Sequence, residues 1–474
     1  MEEIQNYNDP ANQENSPIAS AISNDNIQAP DSQSPNPAAA PANLAVTSHT
    51  DIQIEDQPIL AAANKIHSNN SVLQFEGLQF LRKSLSKVDN PPIDDVIKTG
   101  ICQHIISLAY EKDDDKFLFE ATWLFTNILS GSSEQGSYLL KLGVLPFLFT
   151  VFKKNNYDIK EQVMWAFGNV AGDSAKCRDT ILNHEKFNYV YEFLAEVDFQ
   201  KQSVIRTLSW VVSNFIRGKP QPKLDKVIPL FSFLERVILG IHDVEALTDA
   251  TWGCSYLTDI DGSLPIFKNE LFLEKIIQQL SSNNASLQIS SLRTLGNISS
   301  SLPNSYEIMF RLGFLDKIDE LILCPKKNVR KEICWMLSNI CAEKKEAVEG
   351  LLERKVYEKL LKVLKEDSED VKKEAIWVIG NTATVCDAEQ ARRVAQIGLI
   401  GEMISLVDKM KASQKVVLEG LTEYFGKDKN IVGSEERNRL IRVLDRVIEE
   451  GENSDKAVSL RLMLLDINNG EGNN

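Results

Sequence analysis

The first 64 residues contain no lysine and no arginine, and Lys65 is the first basic residue of the chain. This stretch is instead rich in asparagine, proline, alanine, serine and glutamine, with a few acidic residues. Such a composition cannot bury enough apolar surface to offset the entropy lost when a chain becomes ordered. We therefore expect residues 1–64 to form a disordered acidic tail, residues 65–467 a folded domain, and residues 468–474 a second disordered tail.

Metal-binding and membrane-spanning patterns are also absent from the sequence. The seven cysteines include no CxxC pair and the five histidines no HExxH motif, so we predict neither a metal site nor a cofactor. Cysteines of odd number inside apolar helical patterns are typical of buried free thiols in a reducing compartment. No run reaches about 18 uninterrupted apolar residues, and no cationic and then apolar signal segment opens the chain. We expect no association with a membrane.

The net charge of -15 and the pI near 5.0 leave no excess of basic residues. Surfaces that bind nucleic acid need clustered lysine and arginine, so this charge argues against a nucleic-acid partner. An acidic protein suits a cationic partner, but an acidic excess also occurs simply because it favours solubility. The composition leaves both interpretations open.

From about residue 65 onward, apolar residues recur with a spacing near 3.6, as in residues 118–125 and 376–379. This is the period of an amphipathic helix. Short sequences that contain glycine or proline interrupt the pattern, for example at 141–146 and 311–315. No sustained alternation of apolar and polar residues indicates a strand, so the sequence predicts an all-α fold.

All six tryptophans fall in one repeating frame of about 42 residues. They are Trp123, Trp165, Trp210, Trp252, Trp335 and Trp377, and Arg293 fills the one remaining place in the frame. Four residues after these seven positions stand Asn127, Asn169, Asn214, Tyr256, Asn297, Asn339 and Asn381. We call these seven pairs the ladder. A period near 42 residues in an all-helical chain is typical of armadillo or HEAT repeats.

The ladder suggests a binding surface for an extended peptide. Positions i and i+4 share one helix face, so each repeat presents an indole beside a carboxamide. Core packing explains a single tryptophan equally well, but asparagine is a poor core residue unless its polar groups are paired. Repeats stacked about 10 Å apart match every second or third residue of an extended peptide. Asparagine can then bind the peptide backbone, while indoles hold lysine or arginine through cation–π contacts of roughly 0.5–2 kcal/mol each.

Carboxylates beside the ladder would make such a groove selective for cations. Asp173 follows one ladder position, and Glu245 and Asp249 precede another. Each of them alone is better explained as a solvated surface acid, but as a set in phase with the ladder they favour binding. Arg293 interrupts the ladder, and its charge is expected to repel a cationic ligand and so divide the groove into a larger and a smaller site.

Three runs of residues resemble importin alpha, the receptor for nuclear localisation signals. They are 119–127 (FEATWLFTN), 161–179 (EQVMWAFGNVAGDSAKCRD) and 255–259 (SYLTD), which look like its second, third and fifth repeats. Residues 90–94 look like its first repeat and residues 416–421 like its ninth. The run through Asp173 is highly specific, whereas the WxxxN spacing alone is less so. The resemblance covers residues 65 to about 425 well, and the remainder to about 467 loosely.

The resemblance implies a right-handed superhelical solenoid of about ten armadillo repeats, with a major peptide site in repeats two to four and a minor site in repeats six to eight. Asp173 would hold the key lysine of the major site, Gly131 would offer that lysine a carbonyl, and Glu374 would serve the minor site. The implied partners are cargo proteins with basic nuclear localisation signals, importin beta and, through the C-terminal repeats, a nuclear export factor. The implied location is shuttling between cytoplasm and nucleus.

The predicted major site comprises Trp123, Asn127, Gly131, Trp165, Asn169, Asp173, Trp210, Asn214, Glu245 and Asp249. The predicted minor site comprises Asn297, Trp335, Asn339, Glu374, Trp377 and Asn381. The predicted linker between the two sites comprises Trp252, Tyr256 and Arg293.

Three departures from the family pattern narrow these expectations. The family has a basic N-terminal segment that binds importin beta and folds back onto the groove, whereas residues 1–64 contain no basic residue. Importin beta binding by that route, and autoinhibition, are therefore not predicted. Gly136 stands where the family has a lysine-contacting threonine, which should weaken that slot. Residues 298–303 lack the family's glycine and acidic residue, which puts the minor site in question.

The leading hypothesis is a cargo receptor for basic nuclear localisation signals. The alternative is an armadillo scaffold that binds basic extended peptides without a transport role. An enzyme would require Gly172-Asp173-Ser174 to act as a nucleophile motif, or residues 131–136 to act as a phosphate loop. Neither has the strand–turn–helix context or the partnered histidine that those chemistries need, so no enzymatic activity is predicted.

Overall fold

The structure is a computed structural model that describes residues 57–87, 90–451 and 453–471. Every regular element in these ranges is a helix, which confirms the prediction of an all-α fold. None of the described helices is long and apolar enough to cross a membrane. The chain divides into two compact units, and the boundary falls between Ser263 and Leu264.

The first unit contains, among its described residues, fourteen α-helices and one 3-10 turn at Ile228–Leu230. The helices are α1 (Gln57–His67), α2 (Ser71–Leu85), α3 (Ile93–Lys98), α4 (Ile101–Lys112), α5 (Asp115–Leu129), α6 (Ser133–Lys141), α7 (Val144–Val151), α8 (Tyr157–Asp173), α9 (Ala175–Leu182), α10 (Asn188–Glu196), α11 (Gln202–Ile216), α12 (Leu224–Val227), α13 (Phe231–Gly240) and α14 (Val244–Thr258).

The second unit contains, in its described part, thirteen α-helices and two 3-10 turns at Leu264–Phe267 and Lys411–Ser413. The helices are α15 (Glu270–Gln279), α16 (Ala285–Ser301), α17 (Ser305–Arg311), α18 (Phe314–Leu321), α19 (Lys327–Cys341), α20 (Lys345–Glu353), α21 (Val356–Glu366), α22 (Glu369–Val385), α23 (Ala388–Ile397), α24 (Leu399–Leu406), α25 (Gln414–Lys427), α26 (Ser434–Glu450) and α27 (Ser454–Glu471).

Each ladder position lies on the long helix of a repeat, which we call the ladder helix. Side chains cap the N-termini of four ladder helices, α5, α8, α14 and α16. At the start of α8, for example, Asn156 accepts hydrogen bonds from the N–H groups of Asp158 and Ile159. In the first unit α5, α8, α11 and α14 pack on one another in order, and in the second unit α16, α19 and α22 do the same. The predicted stacking of armadillo-type repeats is therefore present within each unit.

Glycine shapes the turn between the two shorter helices of a repeat. Gly143 lies between α6 and α7 and Gly313 between α17 and α18, each at a φ of +86°. This left-handed conformation disfavours residues that have a Cβ atom, so glycine allows the chain to reverse direction in very few residues. The two interrupted sequences at 141–146 and 311–315 are thus turns, as predicted.

A buried arginine fastens the loop that follows α11. Arg178 is fully buried on α9, and its guanidinium donates hydrogen bonds to the carbonyl oxygens of Arg217 (2.7 Å), Gly218 (3.3 Å) and Pro220 (2.7 Å). Its Nε donates to Asp179 at 2.9 Å. Because the arginine satisfies three carbonyl groups that have no helical partner, it holds the repeat-to-repeat connection in place.

Both predicted domain boundaries are wrong by a few residues. Residues 57–64, assigned to the disordered tail, form most of α1, whose apolar face of Ile59, Ala62, Ala63 and Ile66 is at most 4% exposed. The composition of the whole tail concealed this short periodic pattern. At the other end, α27 continues to Glu471, beyond the boundary at 467. Residues 1–56 and 472–474 lie outside the described residues.

Candidate functional site

The ladder indoles occupy equivalent places on successive ladder helices. Their side chains are half-buried, apart from Trp252, which is 6% exposed and stacks on Tyr256 with ring centroids 5.8 Å apart. Two of the indoles lie against a glycine of the preceding ladder helix. A Cβ atom on Gly168 would lie 2.3 Å from the Trp210 ring, and one on Gly296 would lie 2.3 Å from the Trp335 ring. These glycines therefore leave the space in which the indoles pack.

Replacing Gly168 by alanine is expected to displace the Trp210 indole, because a contact of 2.3 Å cannot be kept. Overpacking of this kind typically destabilises a protein by about 1–3 kcal/mol. Urea unfolding followed by tryptophan fluorescence measures the loss. Gly240→Ala is the matched control, since its Cβ atom would meet open space on α13, a helix without a ladder residue. Equal stability of the two variants would contradict the packing role.

The ladder asparagines tie neighbouring ladder helices together. The Nδ2 groups of four of them each donate to a backbone carbonyl of the preceding ladder helix. The pairs are Asn169 to Thr126 (3.1 Å), Asn214 to Gly168 (3.3 Å), Asn339 to Gly296 (3.3 Å) and Asn381 to Ser338 (2.9 Å). Asn127 similarly donates to the Arg82 carbonyl (3.4 Å) and to Ser86 Oγ (3.0 Å) on α2. The sequence analysis missed this structural role, which engages the amide N–H groups of these asparagines within the protein.

Asp173 ends its ladder helix at the edge of a small recess. Ser174 is extended (φ -161°, ψ 158°), so α8 stops at Asp173 and the Ser174 side chain caps α9. Ser133 Oγ donates to Asp173 Oδ1 at 2.5 Å, and Cys177 Sγ lies 3.4 Å from Oδ2. The recess is lined by Leu129, Ser132, Gly136, Ser137, Leu140, Asn169, Val170, Asp173 and Cys177.

The recess brings together three of the residues singled out from the sequence, Asn169, Asp173 and Gly136. Gly131 lies one residue before the lining residue Ser132, in the turn between α5 and α6. A Cβ atom on Gly136 would meet nothing within 4 Å, so the recess is open on that side. A ligand group entering here meets a carboxylate, a carboxamide and two hydroxyl-bearing side chains, which suits a cation.

Four ladder helices carry an acid three residues before the indole. They are Glu120, Asp249, Glu332 and Glu374, of which the sequence analysis singled out only Asp249 and Glu374. The signal was the spacing E/D-x-x-W, which places acid and indole on one helix face. Glu245, by contrast, has a 74% exposed side chain and pairs with Arg206 at 3.3 Å, so it lies on the solvated surface.

Burial brings the pKa of two of these four acids close to neutral pH. Burial, and then the negative charge of Glu245, raise the pKa of Asp249 to about 7. Burial likewise raises the pKa of Glu374 to about 7, with the charge of Lys331 opposing the shift and that of Glu332 adding to it. Glu374 is 5% exposed, and its Oε2 accepts no hydrogen bond from the described residues. An incoming cation would favour the ionised form of either acid.

The other two acids are paired with arginine. Arg82 on α2 binds Glu120, and Arg293 on α16 binds Glu332. The expectation that Arg293 repels a cationic ligand is therefore wrong, because Glu332 neutralises its charge at close range. Asn297 lies on the same helix, half-buried, one turn further on.

The chain is similar to importin alpha subunits. Importin subunit alpha-1b of Oryza sativa subsp. japonica is 35% identical over 62% of this chain and 54% of its own length. Importin subunit alpha-5 of Arabidopsis thaliana is 28% identical over 85% of this chain and 78% of its own length. The chain thus spans about half the length of the first of these relatives.

One solved structure supports the fold alone. The crystal structure of an engineered protein covers 87% of this chain and 99% of its own length, with a TM-score of 0.76 and 18% sequence identity. No family model matches the chain. The repeated ladder, the carboxylates beside it and these relatives agree: the chain is similar to importin alpha subunits.

Proposed function

We propose that the protein is a nuclear import adaptor that binds basic nuclear localisation signals of cargo proteins along its ladder. The observation that carries the proposal is the recess that Asp173 and the ladder residue Asn169 line together, on the ladder helix that also carries Trp165. A lysine side chain can lay its aliphatic stem along indole and place its ammonium at the carboxylate. The chain acts by binding, and no enzymatic step is proposed.

The charges of the ladder support a cationic ligand. Asp173 is exposed and accepts only uncharged donors in the structure, from Ser133 and Cys177. Asp249 and Glu374 are acids that a cation would ionise. An extended peptide rises by about 3.3 Å per residue, so its alternate side chains reach successive ladder helices. Selectivity for lysine and arginine follows because only these side chains combine a long apolar stem with a permanent charge.

Titration calorimetry with a lysine-rich peptide tests the proposal. We expect the peptide to bind, and a peptide of the same length with glutamine in place of every lysine not to bind. Trp165→Ala combined with Asn169→Ala should weaken the lysine-rich peptide strongly, since it removes both ladder groups next to the Asp173 recess. Equal affinity for the lysine and glutamine peptides would overturn the proposal.

The proposed partners are cargo proteins, importin beta and, through the C-terminal repeats, a nuclear export factor, and the proposed location is shuttling between cytoplasm and nucleus. A scaffold without a transport role is the second candidate. It is favoured by the absence of lysine and arginine from residues 1–64, since importin beta recognises a basic segment in the family. A pull-down with importin beta and the export factor separates the two candidates, because a scaffold should bind neither.

Replacing Gly136 by threonine is expected to strengthen binding of a lysine-rich peptide. The Cβ atom has room, and the hydroxyl would add one acceptor for an ammonium group in the recess. One such hydrogen bond to a charged group contributes about 1.5–3 kcal/mol at most, so we expect a gain of roughly tenfold. Gly136→Val is the matched control, with the same shape and no hydroxyl. A similar gain with valine would attribute the effect to packing.

Binding to the second unit should depend on pH through Glu374. An acid with a pKa near 7 is about one-tenth ionised at pH 6 and nine-tenths ionised at pH 8. If a cationic side chain binds the ionised form, affinity rises by about tenfold over this range. Measurement in the Asp173→Lys background isolates this site, and Glu374→Gln should remove the dependence. The folding stability of the unliganded protein should show the opposite trend with pH. A pKa that is higher in the folded than in the unfolded state makes folding favour the protonated acid, so stability falls as pH rises toward 7.

A further inference from the structure

We infer that Arg82 and Arg293 each occupy a site where a cationic side chain of the ligand would otherwise bind, and so set where a bound peptide can begin or end. We call such a site, formed by an acid and an indole of one ladder helix, a slot, and the arginine that fills it from within the protein an internal guest. Each of the two fills the first slot of a series of consecutive ladder tryptophans, which we call a run. The inference rests on the proposed function, since it concerns the register of the same ligand. It assigns a role to Arg82, a residue that the sequence pattern did not mark. For Arg293 it replaces the expected repulsion of a cationic ligand by occupation of that ligand's binding slot.

Arg82 has the contacts of a bound ligand side chain. Its Nε donates to Glu120 Oε2 at 2.7 Å and its Nη2 to Oε1 at 3.1 Å, which is a bidentate pair. Its guanidinium carbon lies 4.2 Å from the centroid of the Trp123 ring. The two side chains of the ion pair are 12% and 9% exposed. The slot formed by Glu120 and Trp123 is therefore full.

Arg293 repeats this arrangement in the second unit. Its Nη2 donates to Glu332 Oε2 at 2.8 Å, and its guanidinium carbon lies 4.5 Å from the centroid of the Trp335 ring. The exposed fractions of the two side chains are 14% and 1%. Arg82 stands in the ladder frame one repeat before Trp123, as Arg293 stands one repeat before Trp335. Each run of tryptophans is thus preceded by an arginine that covers its first indole.

One further acid-and-indole pair, Glu374 with Trp377, shows the same slot without an internal guest. It follows a ladder helix that carries tryptophan, Trp335, in place of arginine. No ion pair to Glu374 occurs in the part of the chain that the structure describes. The guanidinium of Arg82 holds the pKa of Glu120 below its usual value against the effect of burial, whereas burial raises the pKa of Glu332 in spite of Arg293 and raises that of Glu374. The geometry of the two filled slots shows the pose that a ligand arginine would take between Glu374 and Trp377.

Replacing one of these two arginines by alanine should make one more cation-binding slot available to a peptide. In Arg82→Ala the Glu120 carboxylate and one face of Trp123 become available, and a peptide with one further arginine can reach them. The first test compares a reference lysine-rich peptide with two longer peptides, each extended by a short spacer and an arginine at one end. We expect wild-type protein to bind all three within about twofold, and Arg82→Ala to bind one extended peptide at least about fivefold more tightly than the reference.

Two controls separate the slot from a change in net charge. Arg206→Ala removes an arginine from ladder helix α11 whose side chain is 47% exposed and pairs with Asp243 and Glu245. This variant should bind the three peptides alike. Arg82→Ala with Glu120→Gln removes the carboxylate together with its guest, relieves the buried unpaired charge, and should lose most of the gain.

The same slot can be probed without a peptide. Acetyl-arginine amide should raise the melting temperature of Arg82→Ala by more than it raises that of wild-type protein, since the variant offers one additional empty site. Arg293→Ala, which empties the slot formed by Glu332 and Trp335, is an independent repeat should Arg82→Ala fail to fold. Unchanged peptide ratios, and no stabilisation by the amide beyond that of wild-type protein, would overturn the inference. Failure of the wild-type protein to bind any of the peptides would instead overturn the proposed function, and the amide measurement would still decide the slot.

Discussion

Asp173→Lys is expected to reduce the affinity of a lysine-rich peptide for the first unit by at least about 100-fold. The substitution removes the carboxylate that ends α8 and puts an ammonium group in the recess that Ser132, Gly136 and Asn169 help to line. A ligand lysine would then meet a like charge where it now meets an opposite one. Removing one partner of a covered charge pair alone costs about 2–5 kcal/mol in binding, and repulsion adds to this loss.

Titration calorimetry or fluorescence anisotropy measures the effect of Asp173→Lys, with Asp173→Asn as an intermediate case. Glu192→Lys is the matched control, because it makes the same change in net charge at an exposed position on α10, a helix without ladder residues. We expect Glu192→Lys to weaken binding by less than about threefold, through long-range electrostatics that salt screens. Equal losses in the two lysine variants would show that net charge, and not the recess, governs binding.

Arg178→Met is expected to destabilise the first unit by about 3–5 kcal/mol, the usual cost of removing one partner from a buried charged network. Methionine fills part of the volume but donates no hydrogen bond, so the carbonyl groups of Arg217, Gly218 and Pro220 lose their donor. Each unpaired buried carbonyl adds to the cost. The connection between α11 and α12 should loosen first, since these carbonyls belong to it.

Urea unfolding gives the loss of stability in Arg178→Met, and hydrogen exchange of residues 217–223 shows where it begins. Arg236→Met is the matched control. Arg236 also donates to backbone carbonyls, those of Leu194 (3.1 Å) and Ala195 (2.8 Å), but its side chain is only half-buried. Water can replace its hydrogen bonds, so we expect a loss of about 1 kcal/mol. A loss as small in Arg178→Met would contradict the role given to the buried guanidinium.

The ladder could be predicted from the sequence because tryptophan is rare and its period is long. Six indoles in one frame fix the ladder helices, and the adjoining acids follow from their spacing within the same helix. The pairing of Arg82 with Glu120 could not be found this way, because the two residues are on different helices and 38 positions apart. Nothing local to Arg82 distinguishes it from other helical arginines. Only the stacking of α2 on α5 brings the pair together.

The asparagines illustrate a different limit of sequence analysis. The pattern indicated correctly that their carboxamides need partners, but it assigned those partners to a ligand. In the structure the partners include the preceding helix, as where Asn381 donates to the Ser338 carbonyl at 2.9 Å. A sequence states that a polar group must be satisfied, whereas the neighbour that satisfies it depends on tertiary packing. Asparagine-to-alanine variants will therefore change repeat stacking and ligand affinity together.

The close packing of indoles against Gly168 and Gly296 limits which mutations these two positions can tolerate. Every amino acid other than glycine carries a Cβ atom, and at both positions that atom would lie 2.3 Å from an indole ring. No missense mutation at these two codons can therefore preserve the packing, however conservative the new residue. Loss-of-function alleles should accumulate at glycines that never touch the ligand, and a genetic screen would recover them as readily as mutations of the tryptophans themselves.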